Sequence, residues 1–160
     1  MKKLILVATL MMISVAMFAQ SGKSIYKKYS DCEKVSAVYI SPAMFRLMGQ
    51  IPSLEIEEED VDLAPVIRSL KGMYIINSEN PDIRESVIKD VERFVDSDDY
   101  ELLMEAKEEG EIVRIYTVGN EQTVEGFVML ALEATELTFI CIDGEMDRDD
   151  LDATFAKMMK

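Results

Sequence analysis

An α+β domain is what this sequence predicts: an antiparallel-rich sheet of about six strands with helices packed on one face. Two observations predict it. Residues 100–143 hold four strand-like runs in succession, YELLMEAKE, EIVRIYTVG, TVEGFVMLAL and LTFICID, separated by Glu108-Glu109-Gly110, Gly119-Asn120-Glu121 and Glu133-Ala134-Thr135-Glu136. Connections that short join only antiparallel neighbours, so the four runs form a meander. Ahead of the meander lies one long helical stripe, Ile83, Val87, Ile88, Val91, Phe94 and Val95, opened by Asn80 as cap and Pro81 behind it. Its intervals hold the apolar side chains to one side of a helix, with Arg84, Glu85, Lys89, Asp90, Glu92 and Arg93 on the other.

The remaining elements follow in order. Lys2 and Lys3 precede an apolar run from Leu4 to Phe18 that ends in Ala19-Gln20. That is the layout of a secretory signal peptide over residues 1–19, cut after Ala19, and the run is too short to span a bilayer comfortably. Residues 20–160 then form a single α+β domain, expected in the periplasm or outside the cell, with no membrane span after cleavage. A short helix is expected over 24–29 and a β-branched, aromatic strand over 35–41. Ser41 caps a helix that starts at Pro42, ends at Gly49 and carries Met44, Leu47 and Met48 on its apolar face. A polar connection over 50–62 leads to a second short helix near Leu63, and a strand over 72–77 precedes the long helix.

Within the meander, Tyr100, Leu102, Met104 and Ala106 are expected inward and Glu101, Glu105 and Lys107 outward, with Leu103 breaking the alternation. The third run is apolar on both faces from Phe127 to Leu132, as befits an interior strand. Gly144 is expected to turn the chain toward a terminal helix carrying Leu151, Phe155, Met158 and Met159.

Charge and composition narrow the function. There are 31 acidic against 17 basic residues, a formal charge of −14 that loss of Lys2 and Lys3 would take to −16. Such a surface repels nucleic acid and anionic lipid. The chain has no His, no Trp and 7 Gly. Histidine-based triads, most zinc sites and Gly-rich phosphate loops are thereby removed. Carboxylates are so abundant that paired ones discriminate nothing, so no catalytic, cofactor-binding or metal-ligating residue is assigned and no cofactor is expected. A calcium loop starting at Asp143 would have Arg148 sixth and Thr154 twelfth, and one starting at Asp147 would have Leu151 fifth; both registers fail. The tyrosines look scattered.

Two cysteines remain. In an oxidising compartment Cys32 and Cys141 are a candidate disulfide. The alternative is that Cys141, inside Phe139-Ile140-Cys141-Ile142, is a small buried hydrophobe and Cys32 a free thiol.

Three segments together resemble a known group: Tyr29-Ser30-Asp31-Cys32 leading into VSAVYISPAMFRLM; IRSLKGMYIINSE; and YELLMEAKEEGEIVRIYTVGN with VEGFVMLALEATELTFICIDG. They are similar to a family of small exported proteins of unknown function, widespread in Bacteroidota. The resemblance implies an envelope setting and brings no catalytic residue or ligand. The leading expectation is a non-catalytic protein-interaction or envelope-regulatory module, contacting another envelope protein or itself. Leu103, Val113 and Ile115, on the second face of the first two meander strands, are its candidate surface. A small-molecule or lipid-binding module is the alternative, and a carboxylate-dependent hydrolase the second.

Overall fold

The structure is a computed structural model that describes residues 21–48 and 64–158. The signal-like stretch and the polar connection over 50–62 lie outside the described residues. Among the described residues six strands form one open antiparallel sheet: β1 (Val35–Ile40), β2 (Leu70–Ser78), β3 (Glu101–Glu108), β4 (Glu111–Gly119), β5 (Thr123–Leu132) and β6 (Leu137–Asp147). Their order is β1-β2-β6-β5-β4-β3. The last four strands are the meander expected from their short connections, and β6 closes the sheet by pairing with β2 on its other side. Glu109 and Gly110 both take positive φ, 48° and 94°, the backbone of a two-residue hairpin whose twist matches the strands. Asn120 shapes the next turn, its Oδ1 accepting from the amides of Gln122 and Thr123 at 2.8 and 3.0 Å.

Among the described residues five helices accompany the sheet: α1 (Gly22–Tyr29), α2 (Pro42–Met48), α3 (Ala64–Ser69), α4 (Pro81–Ser97) and α5 (Arg148–Met158). Helix α4 starts where expected, with Asn80 accepting from the Asp82 amide. It lays Val87, Val91, Phe94 and Val95 on one sheet face, against Ile76, Phe139, Val128 and Leu130. Arg84 fixes its start by donating to the carbonyls of Glu136 and Glu133 in the β5–β6 turn. Helix α1 adds Ile25 and Tyr29 to the same core, and its first residue has to be glycine. A Cβ at Gly22 would lie 2.2 Å from the Cys141 Sγ.

The short helices α2, α3 and α5 contact one another or the sheet in a string near β2 and β6. There Val124, Met146 and Leu151 form a second small cluster with Val66, Leu70 and Phe127. Several expectations change. In α2 the buried residue is Phe45, whereas Met44 and Leu47 are 48% and 61% exposed. Gly144 is no turn: β6 continues through it to Asp147, and a Cβ there would come within 3.2 Å of the Ser69 carbonyl oxygen and 3.3 Å of the Leu70 side chain, a tight approach. Asp90, grouped with the outward charges of α4, is 5% exposed and accepts from Tyr29 Oη at 2.7 Å and Lys28 Nζ at 2.6 Å. Nor are the tyrosines scattered. Tyr39 stacks on Tyr74 at 5.1 Å between centroids, and Tyr26 lies 5.8 Å from Tyr74.

Candidate interaction surface

Strand register decides what the second face of the sheet carries. Directly opposed residues of antiparallel neighbours point to the same side. One row therefore crosses all six strands as Val38, Ile75, Ile140, Met129, Ile115 and Met104. Two residues along the strands on one side runs Ser36, Asn77, Thr138, Ala131, Val113 and Ala106, and on the other Ile40, Met73, Ile142, Phe127, Thr117 and Glu101. Three rows across six strands make eighteen positions, of which Glu101, at a corner, is the one charged residue, in a chain that is 30% charged. The central row is a ridge of large apolar side chains, and the row beside it is small and shallow.

The two faces differ in burial. Under α1 and α4, Ile76, Val128 and Phe139 are 0% exposed. On the second face Met73, Ile75, Val113, Ile115, Met129, Ile140 and Ile142 are half-buried, and Val38 and Met104 at the sheet edges are 45% and 46% exposed. Neighbouring strands shield these side chains laterally. Helices α1 and α4 bury the other face from above. On the second face, among the described residues, helices reach the end of the third row, where Phe127 packs with Val66 of α3 and Leu151 of α5 and Thr117 is buried.

Of the surface residues expected from sequence, Val113 and Ile115 lie on this face and Leu103 does not share their register. The β3–β4 pairing shifts between Leu102 and Met104, so Leu103 is the extra residue of a bulge. The bulge inverts the alternation of β3. Leu102 still pairs with Tyr116 on the helix side, but Met104 and Ala106 pair with Ile115 and Val113 on the second face. The whole of β3 is exposed, so Leu102, Met104 and Ala106 of the expected inward set fail, whereas Tyr100, just ahead of the strand, packs inward against Phe94. Charges collect on the helix side instead: Arg114 bonds Glu105 at 2.8 Å and reaches Glu92 of α4 at 3.3 Å.

Residues 29–154 match the family described as Domain of unknown function (DUF4252). The chain belongs to that family. No curated protein and no solved structure matches it. The match covers every strand of this DUF4252 domain, and so the whole of the uncharged face.

The cysteines of this DUF4252 domain are both free thiols, so the candidate bridge is not formed. The reason is α1. Cys141 lies under its first residue, Gly22, while Cys32 follows its last turn and donates to the Lys28 carbonyl. Eight residues of helix separate the two ends by roughly 10–12 Å, beyond the reach of a disulfide. Cys141 is 0% exposed and its Sγ donates to Asp143 Oδ1 at 3.5 Å. Burial pushes the thiol well above its ordinary range, with the Asp143 charge adding to the rise. A buried thiol held neutral in this way is a core residue and a poor nucleophile.

Burial also pushes the half-buried Asp143 carboxyl above its ordinary value of 3.8, opposed by the Cys141 thiol and Lys71. A folded-state value raised in this way favours the protonated form. Its stability contribution is full below the ordinary value and is lost as pH rises through the elevated one. Asp143→Asn keeps an acceptor for Cys141 and removes the charge. The variant is expected to melt above the wild type at neutral pH, and the gap should close on acidification toward about pH 4. Thermal melts of both proteins across that range check it; a gap that widens in acid refutes the assignment.

Two open hollows, of about 470 and 330 Å³, are lined by Glu101, Gly119, Asn120, Glu121 and Arg148 and by Lys34, Val35, Ser36, Asn77 and Glu79. Their linings are charged and polar, unlike the mainly apolar walls of an enclosed small-molecule pocket.

Proposed function

We propose that this DUF4252 protein is an exported, non-catalytic module that works through protein contacts made by the second face of its sheet. One observation carries the reading: seventeen of the eighteen positions in three adjacent rows of that face are uncharged, and the central row is apolar on every strand. A chain with 31 acidic and 17 basic residues has ample charge to solvate a sheet face. An apolar surface continuous across six strands is the chemistry of an interface. Export rests on the signal-like residues 1–19 and places the contacts in the periplasm or outside the cell, the envelope setting that the family resemblance implies. The absence of histidine, the commonest general base, supports a binding role over a hydrolytic one.

A photo-crosslinking side chain placed at Met129 or Ile115 in the producing cells tests this reading, with Glu109 in the β3–β4 hairpin as a solvent-exposed control. Discrete adducts are expected from the two face positions and none from the control. If Met129 and Ile115 yield no more than Glu109, the face contacts nothing and the reading fails.

A further inference from the structure

We propose that the partner on this face is a second copy of the same chain, docked sheet to sheet about a two-fold axis. The inference rests on reading that face as an interaction surface, and names its occupant.

Charge is the first argument. With a formal charge of −14, two copies that approach through most of their surface bring carboxylates against carboxylates. Like-charge contacts of that kind oppose association. Within the three rows of the second sheet face Glu101 alone is charged, and it stands at their corner; Glu108 and Glu111 pair one row further out, and Glu136 accepts from Asn77 at the rim. Two copies can meet there without placing carboxylates opposite one another over the centre of the contact.

Relief is the second. The ridge of Val38, Ile75, Ile140, Met129, Ile115 and Met104 runs beside the shallow row that contains Ser36, Ala131 and Ala106. A two-fold axis parallel to these rows and midway between them sets the ridge of each copy over the shallow row of the other. The surface is then self-complementary, as an isologous interface must be. The product is a β-sandwich of two sheets about 10 Å apart.

Size is the third. At roughly 4.8 Å between strands and 6.8 Å between rows, the twelve positions of the two rows that this axis lays over one another cover about 400 Å² in plan, before side-chain relief is added. That is about half of the roughly 800 Å² per partner of a standard interface, the size of a weak, concentration-dependent dimer. The free edge at β3 is guarded against the alternative of strand-to-strand pairing. It carries a bulge at Leu103 together with Glu101, Glu105, Lys107 and Glu108, features that block edge association.

Sedimentation velocity of the purified protein from about 0.5 to 100 µM tests the proposal. The expected result is a species of twice the chain mass. Met129→Glu, at the centre of the ridge, should raise the dimer dissociation constant at least about 100-fold. Val38→Lys and Met104→Lys lie on exposed edge strands where folding tolerates charge, and each should raise it at least about 10-fold with an unchanged circular dichroism spectrum. Should Met129→Glu fail to fold, these two variants decide. A dimer that persists unchanged in all three variants overturns the proposal, since its interface is then elsewhere.

Peroxide oxidation followed by mass spectrometry separates the remaining outcomes, with Met129 and Met73 as built-in reporters. Protection that disappears on dilution supports the two-copy interface. A monomer at about 100 µM with reactive Met129 overturns the second copy and leaves the interaction reading standing, with a different partner. A monomer with protected Met129 overturns both, because the chain then covers its own face.

Discussion

Phe139→Ala is expected to lower stability by about 3–5 kcal/mol, and Ile140→Ala, the very next residue, by less than about 1.5 kcal/mol in the dilute monomer. The two side chains leave β6 on opposite faces. Phe139 is 0% exposed and packs in the cluster shared by Val128, Leu130, Val87, Val91 and Phe94. Truncating it leaves a cavity that a helix and four strands cannot collapse around. Ile140 is half-buried beside Ile75 and Met129, so truncation there removes lateral contacts and opens no enclosed void. Urea unfolding at sub-micromolar concentration measures both. Equal losses would mean that the second face is as deeply covered within one chain as the first, and the asymmetry on which the functional reading depends would be gone. At high concentration the Ile140 variant should lose additional stability relative to wild type, because association stabilises the folded state by mass action.

How far the sequence reaches can be judged from that same pair of neighbours. Runs of β-branched and aromatic residues broken by Glu109-Gly110, Gly119-Asn120 and Glu133 to Glu136 are local signals, and they located all four meander strands. The stripe on α4 is equally local. Which face of β6 would be covered by helices is not local. It depends on β2 inserting beside β6, a pairing between residues 59 to 74 positions apart along the chain. The apolar row from Val38 to Met104 is therefore invisible until the order and register of six strands are known. Val113 and Ile115 fall on the second face as their clean alternation within one strand predicts. Met104 faces the side opposite to the one its alternation predicts, because a single extra residue reverses every side chain beyond it. The local trace of that bulge is three consecutive large apolar residues, Leu102-Leu103-Met104, where strict alternation would allow two. The Cys32–Cys141 pairing failed for a related reason: spacing in sequence carries no information about which end of α1 each thiol would reach.

Asp90→Ala is expected to cost about 2–3 kcal/mol, a large effect for a residue that reads as a surface charge. The carboxylate joins α1 to α4: Oδ2 accepts from Tyr29 Oη at 2.7 Å and from Lys28 Nζ at 2.6 Å, and Oδ1 lies 3.4 Å from Arg93 Nη1. Its place in sequence explains the geometry. Asp90 sits three residues after Val87 and four before Phe94, on the centreline of the apolar stripe. Most of the loss comes from Tyr29. That residue is 3% exposed, and without Asp90 its hydroxyl is a buried donor with its acceptor removed, a penalty of about 1–3 kcal/mol. The ion pair adds little, because the Lys28 side chain is 57% exposed and water screens it to about 0–1 kcal/mol. Two further variants separate these contributions. Asp90→Asn retains an oxygen acceptor and should cost about 1 kcal/mol, while adding Tyr29→Phe to Asp90→Ala should recover more than about 1 kcal/mol by removing the stranded donor. Strict additivity of the two substitutions would show that the hydroxyl and carboxylate are not coupled. The alkaline limb checks the same bond by another route. Burial raises the Tyr29 hydroxyl above its ordinary value of 10.0, with the bond to Asp90 raising it further. The stability this contributes is complete below that ordinary value and is lost as pH climbs through the raised one. Tyr29→Phe should therefore start from a lower melting temperature and lose less of it between about pH 8 and pH 11 than wild type does.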